Sequence, residues 1–127
     1  MLEIISPLTG EKLQVAQNDF EHKMDWHEAK KACQNLGNGW RLPSIKELEL
    51  IDKEFRQKGI GNFQKFWYWS GTEGEVNSWF ESFFYRGSIT AWRFAFHDGG
   101  PAEYYKSLRS NDSAKCCVRA VRPISGM

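Results

Sequence analysis

Apolar positions follow three rhythms along the chain. Near the start, Leu13 and Val15 alternate with Lys12 and Gln14, the period of a strand with one covered face. Ile4-Ile5 ahead of Pro7, and the Thr9-Gly10 turn, supply an earlier extended segment, so residues 1–20 read as two short strands or a hairpin. From Trp26 the rhythm becomes helical. Trp26, Ala29, Cys33 and Leu36 recur at spacings of 3, 4 and 3 and share one helix face. Asp25 precedes them as an N-cap, and Glu28 stands at the third helical position, where its side chain can close a capping box. Gly37 and Gly39 suit a left-handed stop, so a helix is predicted over 26–36. A second helix, 45–57, starts from Ser44 with Glu47 closing its box. Ile45, Leu48, Ile51 and Phe55 are its buried stripe, and Gly59 ends it.

After residue 64 the pattern turns aromatic and extended. Segments 64–70 (with Phe66-Trp67-Tyr68-Trp69), 79–85 and 89–96 read as strands, the last two joined near Arg86-Gly87-Ser88. A long loop is predicted over 97–114 from the turn clusters Asp98-Gly99-Gly100-Pro101 and Ser110-Asn111-Asp112-Ser113. A final strand over 115–124 follows. Strands, two helices, then strands describe one α+β domain over 1–127, its helices packed on one side of a twisted, mostly antiparallel sheet with a long irregular loop.

Composition narrows the function. Lys plus Arg is 17 and Asp plus Glu is 16, so the basic excess that nucleic acid demands is missing. Apolar runs fall far short of the roughly 18 residues of a membrane span, so neither nucleic acid nor membrane is an expected partner. The first residues lack a basic stretch and an apolar core, which predicts a cytoplasmic protein unless another route brings it to a surface or virion. Three cysteines, Cys33, Cys116 and Cys117, are too few for a four-thiolate zinc site and odd for a disulfide framework. The outlier is aromatic content, with Trp 6, Phe 9 and Tyr 4, residues that fill cores and also grip ligands.

Met24-Asp25-Trp26-His27-Glu28-Ala29-Lys30-Lys31-Ala32-Cys33, then Gly39-Trp40-Arg41-Leu42-Pro43-Ser44-Ile45-Lys46-Glu47-Leu48, resembles a set of bacterial C-type-lectin-like domains. Tyr68-Trp69-Ser70-Gly71-Thr72 and Val118-Arg119-Ala120-Val121-Arg122 continue the likeness in the same order. The family is typified by the C-terminal domain of the collagen-like adhesin Lcl. It is distantly similar to the formylglycine-generating-enzyme fold, which carries a related Trp-Arg-Leu-Pro signature. The resemblance implies a lectin-like fold over roughly 24–122 and adhesin-like binding, but a shared fold does not fix an activity. Trp26, Cys33, Trp40, Arg41, Leu42, Pro43, Ser44 and Trp69 read as structural. Trp40 and Leu42 would sink between helices and sheet, with Trp40 buried, while Arg41 offers a planar multi-donor group to a carboxylate or to carbonyls.

The lectin likeness raises calcium, which takes about 6–8 oxygen ligands. The Glu-Pro-Asn and Gln-Pro-Asp loops that bind it in vertebrate lectins are missing here, and Asn111-Asp112 is a partial echo with Ser110 in place of the Trp. Glu73, Glu75, Asn77, Asp98 and Glu103 are loop oxygens, and no metal and no cofactor are expected. Lectin-like folds often tie the first helix to the last strand, which would pair Cys33 with Cys116 or Cys117; without an export signal, reduced thiols are favoured. A formylglycine-generating-type oxidase is the enzyme alternative. Its cysteine motif has no counterpart here, and His22, His27 and His97 sit in no partner motif, so no catalytic residue is expected. A structural or assembly subunit, forming a homo-oligomer, is the third reading.

The remaining reading is non-catalytic recognition, by a bacterial or phage module, of a protein or glycan ligand. Its expected contacts are Trp92, Arg93, His97, Asp98, Tyr104, Tyr105, Lys106 and Arg109, on the 97–113 loop surface, with Tyr104 and Tyr105 as the exposed anchors.

Overall fold

The computed structural model describes residues 2–74, 89–106 and 114–124. The elements run β1 (Leu2–Ile5), β2 (Lys12–Val15), α1 (Trp26–Asn35), α2 (Ile45–Glu54), a 3₁₀ turn (Arg56–Lys58), β3 (Trp67–Glu73), β4 (Thr90–Ala95), β5 (Gly100–Tyr105) and β6 (Val121–Pro123). The class is α+β, built from two antiparallel three-stranded sheets with orders β1-β2-β6 and β3-β4-β5. The expected N-terminal hairpin is present, with Leu2 opposite Val15 and Ile5 opposite Lys12.

Both helices start where local chemistry dictates. The Asp25 carboxylate accepts from Glu28 N at 2.9 Å, and Asp25 N donates back to Glu28 at 3.3 Å. Ser44 Oγ accepts from Glu47 N at 3.1 Å, and Ser44 N donates to Glu47 Oε1 at 2.8 Å. Each box satisfies two amides at a helix start. The ends differ from expectation. Leu36 is the C-cap of α1 and, lying past the last turn, is 48% exposed rather than part of the buried stripe. Helix α2 stops at Glu54 because Phe55 leaves helical geometry, and the 3₁₀ turn then closes on Gly59 at φ 71°.

The β3-β4-β5 sheet is covered on both faces, and each helix serves a different one. Tyr68 and Phe94 face each other across β3 and β4 and pack with Leu48 and Ile51 of α2, Leu13 and Val15 of β2, and Val121 of β6. Trp69 and Ala91 lie on the other face, with Trp26, Ala29 and Cys33 of α1, and with Cys116 and Val118. This replaces the picture of one sheet with both helices on one side: strand side chains alternate, so consecutive aromatics such as Tyr68 and Trp69 enter separate cores.

The C-terminal segment does not form one long strand over 115–124. It crosses between the sheets, bridging Met24 at Cys116, Tyr68 at Cys117 and Arg41 at Val121, and pairs regularly only in β6. Arg119, fully buried, sits at this crossing. Its Nε donates to Asp19 at 2.7 Å, its other nitrogens donate to Ala16, Gly61 and Asn62 carbonyls, and its guanidinium lies 3.9 Å from the Phe63 ring. Asp19 also accepts from the Tyr68 hydroxyl at 2.6 Å, so the buried cation and its counter-ion are both hydrogen-bonded, the condition under which such a pair is tolerated.

The predicted loop 97–114 is corrected. Residues 96–99 turn the chain, with Gly99 at φ 75° donating to the Ala95 carbonyl at 2.6 Å, and β5 then pairs with β4 from Ala95–Gly100 to Thr90–Tyr105. The turn residues marked the start of the segment correctly. They masked a strand whose half-buried Ala102 and Tyr104 alternate with exposed Glu103 and Tyr105. The predicted strand 79–85 and the remainder of the loop, 107–113, lie outside the described residues.

Candidate functional site

Strands β4 and β5 divide the expected contact residues. Arg93 sits between two rings, 4.0 Å from the Trp67 centroid and 4.0 Å from that of Tyr104, and donates to Cys116 Sγ at 3.8 Å. His97 meets Trp67 edge-on at 5.7 Å and lies 3.7 Å from the Asp98 carboxylate in the β4–β5 turn. Among the described residues β5 is the outer strand of its sheet, and the rings of Tyr104 and Tyr105 meet edge-on at 6.0 Å. His97, Trp67, Arg93, Tyr104 and Tyr105 thus form one unbroken row of ring and cation contacts, with His97 and Tyr105 exposed at its ends.

Trp92 is not in this row. It points to the opposite face, where Glu103 is its cross-strand neighbour and accepts from Thr90 Oγ1 at 3.0 Å. Gly74 is wedged against the same pair; a Cβ there would lie about 2.0 Å from the Thr90 hydroxyl oxygen. Lys106 also departs from the expected exposed rim. It is buried, ion-paired with Glu73, and its ammonium lies 4.2 Å from the Trp26 ring. The register shifts between Trp69 and Glu73, and Glu73 stands opposite Ala91. Tyr104 is half-buried under Arg93, so of the two tyrosines only Tyr105, 49% exposed, is an open anchor. Arg109 lies outside the described residues.

The residues expected to be structural make contacts that join neighbouring elements. Trp26 Nε1 donates to the Ser70 carbonyl at 2.8 Å and Trp69 Nε1 to the Met24 carbonyl at 2.9 Å, which ties α1 to β3. Leu42 and Pro43 are buried, and the Pro43 carbonyl accepts from Gly71 N at 2.7 Å. Ser44 caps α2. Arg41 makes a two-point contact with Glu47, at 2.8 and 3.1 Å, and also donates to the Leu42 carbonyl. Burial acts to raise the Glu47 pKa. Hydrogen bonds from Arg41, Ser6 and the Ser44 amide, with the Arg41 charge, outweigh it and hold the carboxyl below the usual range. Trp40, expected in the core, is half-buried, with the Arg122 guanidinium 4.9 Å from its ring; it closes the surface of the second core.

Cys33, Cys116 and Cys117 are free and buried. Cys33 and Cys116 belong to one core and Cys117 to the other, as alternation across an extended segment requires. Burial pushes the Cys33 thiol up to about 12 and Cys116 and Cys117 each to about 11, so the thiolate that nucleophilic or redox chemistry needs is strongly disfavoured. Among the described residues, no three His, Cys, Asp or Glu side chains converge on a metal-sized point. Glu73 and Glu103 are spent on Lys106 and Thr90, while Glu75, Asn77, Asn111 and Asp112 lie outside the described residues. No helix among the described residues is long and apolar enough to cross a membrane.

Sequence reasoning missed Trp67 and Thr90 as neighbours of the expected contacts. The signal available was alternation: with Trp67 opposite Ala95 and Trp69 opposite Arg93, Trp67 and Arg93 share one face of the sheet.

The crystal structure of the snake venom toxin convulxin is similar in fold, with a TM-score of 0.53 at 17% identity over 91% of each chain. That likeness makes the architecture C-type-lectin-like and says nothing more. No curated protein matches the chain. The family model of the Lcl C-terminal domain matches residues 10–122, nearly the whole chain, and the protein therefore belongs to the Lcl C-terminal domain family.

Proposed function

We propose that the protein is a non-catalytic recognition module of a bacterium or phage whose ligand is a protein or glycan, gripped at the edge of the β3-β4-β5 sheet. The observation that carries this reading is the row His97–Trp67–Arg93–Tyr104–Tyr105. Rings packed around a held guanidinium present flat apolar faces with little rotamer freedom left to lose on binding. Asp98 beside His97 adds an acceptor. The buried, high-pKa thiols support a non-enzymatic role over the oxidase alternative.

The test is a glycan array together with a panel of purified cell-surface proteins, probed with the wild type and with His97→Ala/Tyr105→Ala. Loss of a wild-type binding signal in the double variant, at an unchanged melting temperature, supports the reading. Full retention of that signal removes this surface from it.

Exposed Ile5 (55%) and Leu8 (63%) beside the outer strand β1 favour a second reading, an assembly subunit. Concentration-dependent sedimentation lost on Ile5→Lys would select it.

A further inference from the structure

A separate cleft borders the second core between α1 and the end of β3. Trp26, Lys30 and Gln34 stand four residues apart and so line one stripe of α1. Facing them are Arg41 and Leu42 from the segment after α1, and Gly71, Thr72 and Glu73 from β3. The cavity measures about 280 Å³, room for one monosaccharide or one or two amino acid residues. A shallower extension runs along α1 past His27, Lys31 and Lys106.

The charges around this cleft are one-sided in a chain that is almost neutral overall. Its walls carry the cations Lys30, Lys31, Arg41 and Lys106 and the single carboxylate Glu73. Glu73 is spent on Lys106, and Arg41 on the buried Glu47 behind the wall. Arg41 uses Nη1 twice and Nη2 once, which leaves Nε–H and one Nη2–H outside these bonds. Lys30 has its ammonium 5.3 Å from the Trp26 ring and no carboxylate within ion-pair distance among the described residues. Its apolar lining is supplied by Leu42 and Trp26.

We propose that this cleft binds a small carboxylate ligand, its carboxylate taken by Lys30, Gln34 and the outer N–H groups of Arg41, its body lying against Leu42 and Trp26. Two fixed features suit that chemistry. Arg41 is immobilised by its bonds to Glu47 and Leu42, so its outward donors are pre-aimed at a planar anion. Lys30 is braced by Trp26 on a capped helix. A carboxylate of this size is carried both by an acidic sugar and by an acidic amino acid, and the cleft's shared requirement is the anion. The site is independent of the aromatic row at the sheet edge, with which it has no residue in common.

The test is two-dimensional NMR of the ¹⁵N-labelled protein, titrated with glucuronate and glucose, and with N-acetylglutamate and N-acetylglutamine. Saturable shifts at the Trp26 indole N–H, Gln34 and Thr72 with one or both carboxylates, and not with the uncharged counterparts, are expected. Which carboxylate saturates first identifies the source. Lys30→Gln, on an exposed helix position, should weaken binding about tenfold or more, and Gln34→Ala less. Raised ionic strength should weaken the wild type in parallel. Absence of saturable shifts up to about 10 mM, equal response to the uncharged compounds, or unchanged affinity in a folded Lys30→Gln protein each overturns the proposal.

Discussion

Arg41 and Glu47 are joined by two parallel hydrogen bonds, at 2.8 and 3.1 Å, with the carboxylate 1% and the guanidinium side chain 37% exposed. The same carboxylate closes the capping box of α2 and accepts from Ser6 Oγ at 2.6 Å. One buried acid therefore links the N-terminal hairpin, the segment between the helices, and the start of α2.

Removing that acid should be costly. Glu47→Gln is expected to destabilise by about 3 kcal/mol, at the low end for a broken buried pair because Arg41 retains access to water. The carboxyl is held below its ordinary pKa in the fold, so its contribution is complete above the unfolded value of about 4.3 and is lost as pH falls through the folded value. Denaturant melts across acid pH should show a steeper loss in the wild type than in Glu47→Gln.

The helix caps are a second target. Ser44→Ala removes the acceptor for Glu47 N and should cost about 0.5–2 kcal/mol. Asp25→Ala should fall in the same range, about 0.5–2 kcal/mol, since its box is formed equally. Equilibrium urea unfolding checks both.

The two tyrosines at the sheet edge should separate in kind. Tyr104→Ala strips a ring from Arg93 and should cost about 1–3 kcal/mol, whereas Tyr105→Ala should stay within about 0.5 kcal/mol of wild type. The reverse order in thermal melts would show that the row is assembled otherwise.

Trp69 and Trp40 offer a comparable contrast. Trp69 is fully buried with its indole N–H bonded, so Trp69→Ala should cost about 3–5 kcal/mol. Trp40 is half-buried, and Trp40→Ala should cost about 1–3 kcal/mol.

The thiols provide a chemical readout. In the native protein at mildly alkaline pH, Cys33, Cys116 and Cys117 should react slowly with a disulfide reagent, because burial holds their pKa values near 12, 11 and 11. All three should react at once in denaturant. A thiol that reacts fast in the folded state would restore the oxidase alternative.

What was legible in the sequence was whatever is decided within one turn of chain. Asp25–Glu28 and Ser44–Glu47 act over three residues, and both helix starts stand where they were expected. Strand β5 was hidden because its evidence is non-local: Gly100 and Pro101 read as loop until β4 is laid beside them. Burial of Arg119 had no local signal at all, since its counter-ion is Asp19, one hundred residues earlier. In the candidate site, positions 92 and 93 were grouped by proximity in sequence, while the pleat sends them to opposite faces. Trp67, which completes the row, belongs to a strand far from the rest.

The sheet of β1, β2 and β6 couples the order of synthesis to the order of folding. Strand β2 is made early, yet its second partner is Val121–Pro123. A chain emerging from the ribosome can wind α1 and α2 and pair β3 with β4 while β2 still presents one unsatisfied edge. Leu13 and Val15 wait there for Val121, and Asp19 waits for Arg119. Closure is then a single late event that joins the two ends of the sequence, so slow translation or premature release upstream of residue 119 exposes a sticky strand edge and favours aggregation before the native state is reached.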